Sequence, residues 1–183
     1  YGREVNMGEV AVSASYYFLL KDLDTFNDSV DGPTLVLQDD AEWESGYLKK
    51  YIEIVNNQEM EDIDIIYLCG VPCKKGNSGD ETQGIPIEHT DFEYPPYIYD
   101  ATAIVFNPSG IKKILDSGIE KNLMSFDEYL MILYGDSWRM DMVDKVNKKH
   151  KLTCIKLKNA QKKLGQKGFK SDIDGSKEWK YTT

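Results

Sequence analysis

Two pairs of neighbouring carboxylates and one run of lysines are the residues in this chain whose types and spacing could carry chemistry. The first pair, Asp39-Asp40, ends the stretch Thr34–Asp40, in which Leu35, Val36 and Leu37 follow one another directly after Asp31-Gly32-Pro33. Adjacent carboxylates at a strand end can hold a hard divalent cation, which prefers oxygen ligands and often also takes substrate phosphates. Ligands of open α/β sheets bind in the crevice beyond the carboxyl ends of the strands. Taken alone, the stretch reads more simply as an acidic turn with no metal. The second pair, Asp127-Glu128, follows Ser125 at capping-box spacing, so Glu128 is expected to serve a helix start and Asp127 to gain from the helix dipole. Between Lys145 and Lys170 there are ten lysines and no acid. Such a run can neutralise a diphosphate or an anionic acceptor, although it is more often a solvated face. Tyr94, Tyr97 and Tyr99, around Pro95-Pro96, could stack on a sugar or a base, or form a rigid aromatic loop.

The elements that must position these residues follow from periodicity and turn chemistry. The short apolar run at 35–37, bounded by turn residues, predicts a strand buried on both faces. Asn6-Met7-Gly8-Glu9 has the pattern of a helix start. The uncharged Val10–Leu20 that follows is apolar on most sides, which predicts a buried helix. A surface helix is expected over Gly46–Asn57, with strands at Asp64–Leu68, Ile98–Phe106 and Thr153–Leu157. Asn107-Pro108 opens another helix that stops near Gly118, and Ser125 opens one over Phe126–Tyr134. Val71–Tyr94 reads as a long loop. Strands alternating with helices make the fold class an α/β sandwich.

The chain has 183 residues, enough to bury a substantial core as one domain, and its composition is that of a globular protein. Its net charge of −9 is uneven, with −18 over residues 1–144 and +9 over residues 145–183. The acidic body argues against a nucleic-acid partner. Cys69, Cys73 and Cys154 lack disulfide-framework spacing and read as free thiols, while His89 and His150 are too few to complete a zinc site. The segment Val10–Leu20 is too short to cross a bilayer. The compartment stays open between the cytoplasm and the endoplasmic reticulum lumen.

Several stretches, in order, resemble glycosyltransferase family 25, which includes lipopolysaccharide sugar transferases and procollagen galactosyltransferases. Gly8-Glu9-Val10 and Ser15 match the family's Gly-Glu-(Val/Ile)-Gly-Cys-x-x-Ser-His, with Tyr16 in place of the His. Leu35-Val36-Leu37-Gln38-Asp39-Asp40 is similar to the apolar strand ending Glu-Asp-Asp, with Gln in place of Glu. Asp64-Ile65-Ile66-Tyr67-Leu68 is similar to the family's next strand. Ala103–Phe106 with Pro108-Ser109-Gly110 through Leu115 resembles the strand and Pro-x-Gly-x-x-x-Leu helix. Ser125-Phe126-Asp127-Glu128-Tyr129-Leu130 resembles Pro-(Val/Ile)-Asp-Glu-(Phe/Tyr)-Leu. Gln166 with Ser171-Asp172-Ile173 resembles the closing Gln…Ser-Asp-Ile/Thr.

The resemblance implies a GT-A-like, Rossmann-like α/β/α sandwich around a mostly parallel sheet. It also implies metal-dependent, inverting transfer from a UDP-sugar, with galactose or glucose favoured and Mn²⁺ as the cation. The acceptor would be a hydroxyl on a glycan or on hydroxylysine of a collagen-like polypeptide. Asp39 and Asp40 would hold the metal, while Gly8, Glu9, Ser15, Gln38, Asp39, Gln166 and Asp172 would line the donor site. Asp127, with Glu128 as the second candidate, would be the base for the acceptor hydroxyl. Residues 1–158 would form the transferase core, apparently lacking the family's N-terminal strand, and the lysine-rich segment 159–183 would close the site. The alternative is a non-catalytic GT-A-like binding or assembly module.

Overall fold

A computed structural model describes residues 5–26, 32–39, 41–43, 46–57, 62–72, 83–99, 101–122, 124–135, 137, 142, 146, 148–158 and 164–166. The apolar runs of the sequence become β1 (Thr34–Leu37), β3 (Ile65–Tyr67), β8 (Ala103–Phe106) and β9 (Cys154–Leu157) of one sheet. The hairpin β5 (Ile85–Pro86) and β6 (Phe92–Tyr94) completes six strands in the order β1-β8-β3-β9-β6-β5. Two small ribbons flank this sheet. In one, β4 (Val71–Pro72) pairs with β7 (Ile98–Tyr99); in the other, β2 (Ala41–Trp43) pairs with β10 (Leu164–Gln166). The expected loop 71–94 and the single strand 98–106 are thus subdivided.

Helices cover both faces. On one face α1 (Met7–Phe26), α3 (Pro108–Asp116) and α4 (Phe126–Tyr134) pack on Ile65, Tyr67, Ile104, Phe106 and Cys154. On the other, α2 (Tyr47–Asn56) sets Tyr51 and Val55 against Ile66, Val105, Ile155 and Leu157. The period-2 alternation of each strand therefore feeds two separate cores. This is a mixed α/β fold with helical layers either side of the sheet.

The sheet is not mostly parallel. Among the described residues only β3–β9 is a parallel pair in this sheet, and β1–β8, β8–β3, β9–β6 and β6–β5 are antiparallel. A run apolar at every position reports cover on both faces, not strand direction. Direction is set by connections, and here β8 slots between the co-directional β1 and β3 after the excursion through β4–β7.

Two further expectations are corrected. β1 lies at a sheet edge and is half-buried, not buried on both faces. The helix α1 buries Ser13, Tyr16 and Leu20 but leaves Met7 and Phe18 exposed at 81% and 61%, so it lies on the surface. Its apolar, uncharged sequence exceeds what one packed face requires.

At the amino end of β3 a buried polar cluster ties α3 to the sheet. Asp64 accepts from Ser109 Oγ (2.8 Å), Lys113 Nζ (2.6 Å) and the Thr153 amide (2.8 Å). Asn107 caps α3 by position but not through its side chain, whose amide donates instead to the Ile63 carbonyl. Gly110 packs directly on the Asp64 backbone, where a Cβ would sit 2.3 Å from the Asp64 carbonyl oxygen. The Pro-x-Gly pattern is thus a packing requirement at the end of the sheet opposite the candidate site.

Candidate functional site at the carboxyl ends of β1 and β3

Chain flow brings β1 and β3 out of the sheet on the same side, either side of the start of β8. The Gln38 amide donates to the Thr102 carbonyl (2.9 Å), and the Thr102 hydroxyl donates to Gln38 Oε1 (3.3 Å). The Ala41 amide then donates to the Gln38 carbonyl (3.1 Å), closing a tight turn. Asp39 is exposed on this turn. Asp40 and Asp172 lie outside the described residues. Because β2 pairs with β10, the Gln166 backbone lies opposite Ala41 and next to the turn. The Gln166 backbone therefore lies near Gln38 and Asp39, which stand 128 and 127 positions before it in sequence.

On the helical face the same segment receives α1 and α4. Tyr16 donates its hydroxyl to the Ala101 carbonyl (2.7 Å) and stacks on Phe126 with ring centroids 3.9 Å apart and planes at 8°. Tyr16 is thus a core residue that docks the start of α4 beside residues 101–102. Asp127 follows Phe126 immediately. Its Oδ1 accepts from the Glu128 amide (2.8 Å) and from the Ser125 hydroxyl. The cap of α4 therefore differs from the expected box, since Ser125 makes no side-chain bond to the helix amides. Asp127, two positions further on, holds the Glu128 amide instead. Glu128 is buried in the helix layer, while Asp127 is partly exposed.

Beneath this corner lies Tyr67, fully buried on β3, whose hydroxyl has no hydrogen-bond partner among the described residues. Burial pushes its phenol well above the ordinary range, and the neighbouring Cys154 and Asp127 act in the same direction. Nothing in the sequence marked this hydroxyl, because a Tyr in a buried strand normally reads as core. Thr102 was missed for the same reason.

The remaining expected site residues have local duties. The Asn6 amide donates to Glu9 Oε2 (3.0 Å) and the Glu9 amide to Asn6 Oδ1 (2.8 Å), the reciprocal cap that the sequence predicts. Gly8 sits in the first turn of α1, and Ser15 is exposed with its hydroxyl on the Ala11 carbonyl (2.9 Å). In the lysine run, Lys156 is buried against Glu93 (3.0 Å), and Lys158 donates to the Ile87 and Thr90 carbonyls (3.2 and 2.8 Å). Those two lysines are structural, not part of a solvated face. Tyr97 is core, while Tyr94 lines an open cleft of about 470 Å³ with Pro95, Pro96, Tyr134 and Lys151. That cleft lies at the far end of α4 from Asp127. Cys69 and Cys154 are buried and not joined in a disulfide, and Cys73 lies outside the described residues.

The donors at the β1 turn are oxygens, a carboxylate on Asp39 and an amide on Gln38, which suit a hard cation in kind. Among the described residues no three His, Cys, Asp or Glu side chains form a metal-sized group. Among them, too, no helix is long and apolar enough to cross a membrane. No protein-family model matches this chain, and no curated protein matches it significantly.

Proposed function

We propose that this protein is a metal-dependent glycosyltransferase that moves a sugar, galactose or glucose, from a UDP donor to an acceptor hydroxyl. The acceptor belongs to a glycan or to hydroxylysine of a collagen-like chain. One observation supports the reading beyond the resemblance to family 25. The Thr102–Gln38 bonds and the Tyr16–Phe126 stack bring the acidic turn after β1 and the partly exposed Asp127 to one end of the sheet. These are the two carboxylate functions that inverting transfer needs, and they come from separate elements.

The donor would lie over the β1 turn, with Asp39 and Asp40 holding a divalent cation such as Mn²⁺. When bound, that cation stabilises charge on the departing diphosphate as a Lewis acid. Thr102 fixes Gln38 and with it the direction in which the turn presents Asp39. Across the 101–102 segment, Asp127 takes the acceptor's proton. Its Oδ1 is held by the Glu128 amide and the Ser125 hydroxyl, so the carboxylate is oriented before the acceptor arrives.

Product formation from UDP-galactose and UDP-glucose with Mn²⁺ tests the reading, comparing wild type with Asp127→Asn. An amide retains the oxygen that accepts the two local bonds but cannot take a proton. Transfer should fall by roughly 10²–10⁴ while the fold is kept. A normal rate in Asp127→Asn would remove the base assignment. Wild type that transfers nothing from any UDP-sugar would leave the non-catalytic module as the better reading.

A further inference from the structure

The cleft beside Pro95-Pro96 takes no part in the proposed transfer, yet its walls are built with care. Its volume of about 470 Å³ lies within the roughly 300–1,000 Å³ of small-molecule sites. One wall comes from the β5–β6 hairpin. Tyr94, 47% exposed, ends β6 opposite Ile85, and the chain continues into the buried Pro95 and Pro96 and the core residues Tyr97 and Ile98. Two fixed φ angles on a buried base hold the backbone that carries Tyr94. Gly84 seats the start of the hairpin, with Gln83, directly on Glu93. A Cβ at Gly84 would lie 2.5 Å from the Glu93 carboxyl carbon, and Glu93 is itself tied to the buried Lys156 (3.0 Å). The other wall is the end of α4 with Tyr134. Gly135 closes that helix at φ 90°, its amide donating to the Met131 and Ile132 carbonyls (3.0 and 3.1 Å). The Leu152 amide donates to the Leu133 carbonyl (3.0 Å), which brings Lys151 alongside, and a Cβ on Gly135 would stand 3.4 Å from Lys151 Cε.

The lining has one chemical character. Tyr94, Tyr134, Gln83 and Lys151 each carry an apolar or flat body that ends in a polar tip, and Pro95 and Pro96 add two ring faces. A pyranose is divided in the same way, with C–H bonds on its faces and hydroxyls round its rim. Where hydroxyls and linkages are equatorial, both faces are flat and successive rings lie in line. The partial negative charge at the end of α4 opposes that of Lys151, so the wall does not call for an anion. We propose that this cleft binds a neutral β-linked oligosaccharide, with a ring face on Tyr94 and with the Gln83 amide and the Lys151 ammonium donating to its hydroxyls. A proline-rich peptide is also rigid and docks on aromatic grooves, but its rings have no polar rim for those two groups to meet. The inference is independent of the transferase reading, because the cleft lies at the opposite end of α4 from Asp127 and is tested by binding alone.

The test titrates cellohexaose, maltohexaose and a decaproline peptide into ¹⁵N-labelled protein and follows the amide resonances. Cellohexaose should give saturable shifts at Gln83, Gly84, Ile85, Tyr94, Gly135 and Lys151, and none at residues 36–39 or 127. Its affinity should change by less than about twofold with added salt, as expected of a neutral ligand. Maltohexaose, whose axial linkages curve the chain away from a flat wall, should bind at least about fivefold more weakly. Tyr94→Ala should weaken cellohexaose at least about fivefold and Tyr94→Phe by less than about twofold, since the ring face is what the sugar meets. Both variants should keep the wild-type melt, because Tyr94 is half exposed. Lys151→Met, which retains the stem over Gly135, should weaken binding by about two- to fivefold. The proposal is overturned if cellohexaose gives no saturable shifts, if they centre on residues 36–39 or 127, or if Tyr94→Ala binds as wild type does. Decaproline binding more tightly than cellohexaose at the same amides would also overturn it, in favour of a peptide.

Discussion

Replacing Gly110 by Ala should destabilise the protein, although the same change in an uncrowded helix stabilises it. The helix-propensity term alone favours Ala by about 0.8–1 kcal/mol. Against it stands the contact at the amino end of β3, where the new methyl would lie 2.3 Å from the Asp64 carbonyl oxygen and 2.9 Å from its carbon. Both atoms are backbone, so they cannot swing aside, and α3 must lift by roughly 1 Å to reach ordinary contact. Overpacking of this kind costs about 1–3 kcal/mol. Lifting α3 also stretches the Asn107 amide–Asp64 carbonyl bond (3.0 Å) and the Ser109–Asp64 bond (2.8 Å). Each is worth about 0.5–1.5 kcal/mol. The balance is a net loss of about 1–5 kcal/mol, with the unfavourable terms winning. At about 2–4 °C per kcal/mol for a chain of this size, the melting temperature should fall by about 2–20 °C. Urea melts should show a lower midpoint with an unchanged slope. An unchanged or raised melting temperature would refute the close approach of α3 to β3.

At the start of α4, Asp127→Ala should cost about 0.5–2 kcal/mol, because Asp127 holds the Glu128 amide, whereas Ser125→Ala should cost less. Thermal melts giving the opposite order would restore the box expected from sequence. Burial raises both the Cys154 thiol and the Tyr67 phenol above their ordinary values of 9.0 and 10.0. The unfolded chain therefore loses these protons first, so the stability they confer is whole below about pH 9 and declines as pH rises above it. Tyr67→Phe should make that decline shallower above about pH 10 without lowering the melting temperature at neutral pH, since among the described residues its hydroxyl has no partner to lose. An identical alkaline slope in the variant would contradict this.

The helices were legible where a cap and a period agreed. Phe126–Tyr134 has the expected bounds, and Asn6-Glu9 makes the reciprocal cap that its spacing predicts. Strand existence was legible from apolar runs, but strand direction and position were not. The run at 35–37 looks interior because helices reach both of its faces, and nothing local records that β1 stands at the end of the described strand order, beside β8. Among the site residues, Asp39 and Asp127 could be picked out as acids at element ends. What joins them, Tyr16 on Phe126 and Thr102 on Gln38, depends on contacts more than 60 positions apart. The same applies to Lys156 and Lys158, whose duties come from Glu93 and two loop carbonyls, not from the run in which they sit.

The most direct test of the central claim is a calorimetric titration of UDP-galactose and UDP-glucose into the protein, with and without Mn²⁺. It should be repeated on Asp39→Ala and Asp40→Ala. The account predicts donor binding that requires the metal and is lost in Asp40→Ala at an unchanged melting temperature. Donor binding without metal, binding that survives both substitutions, or no binding of either UDP-sugar would contradict it.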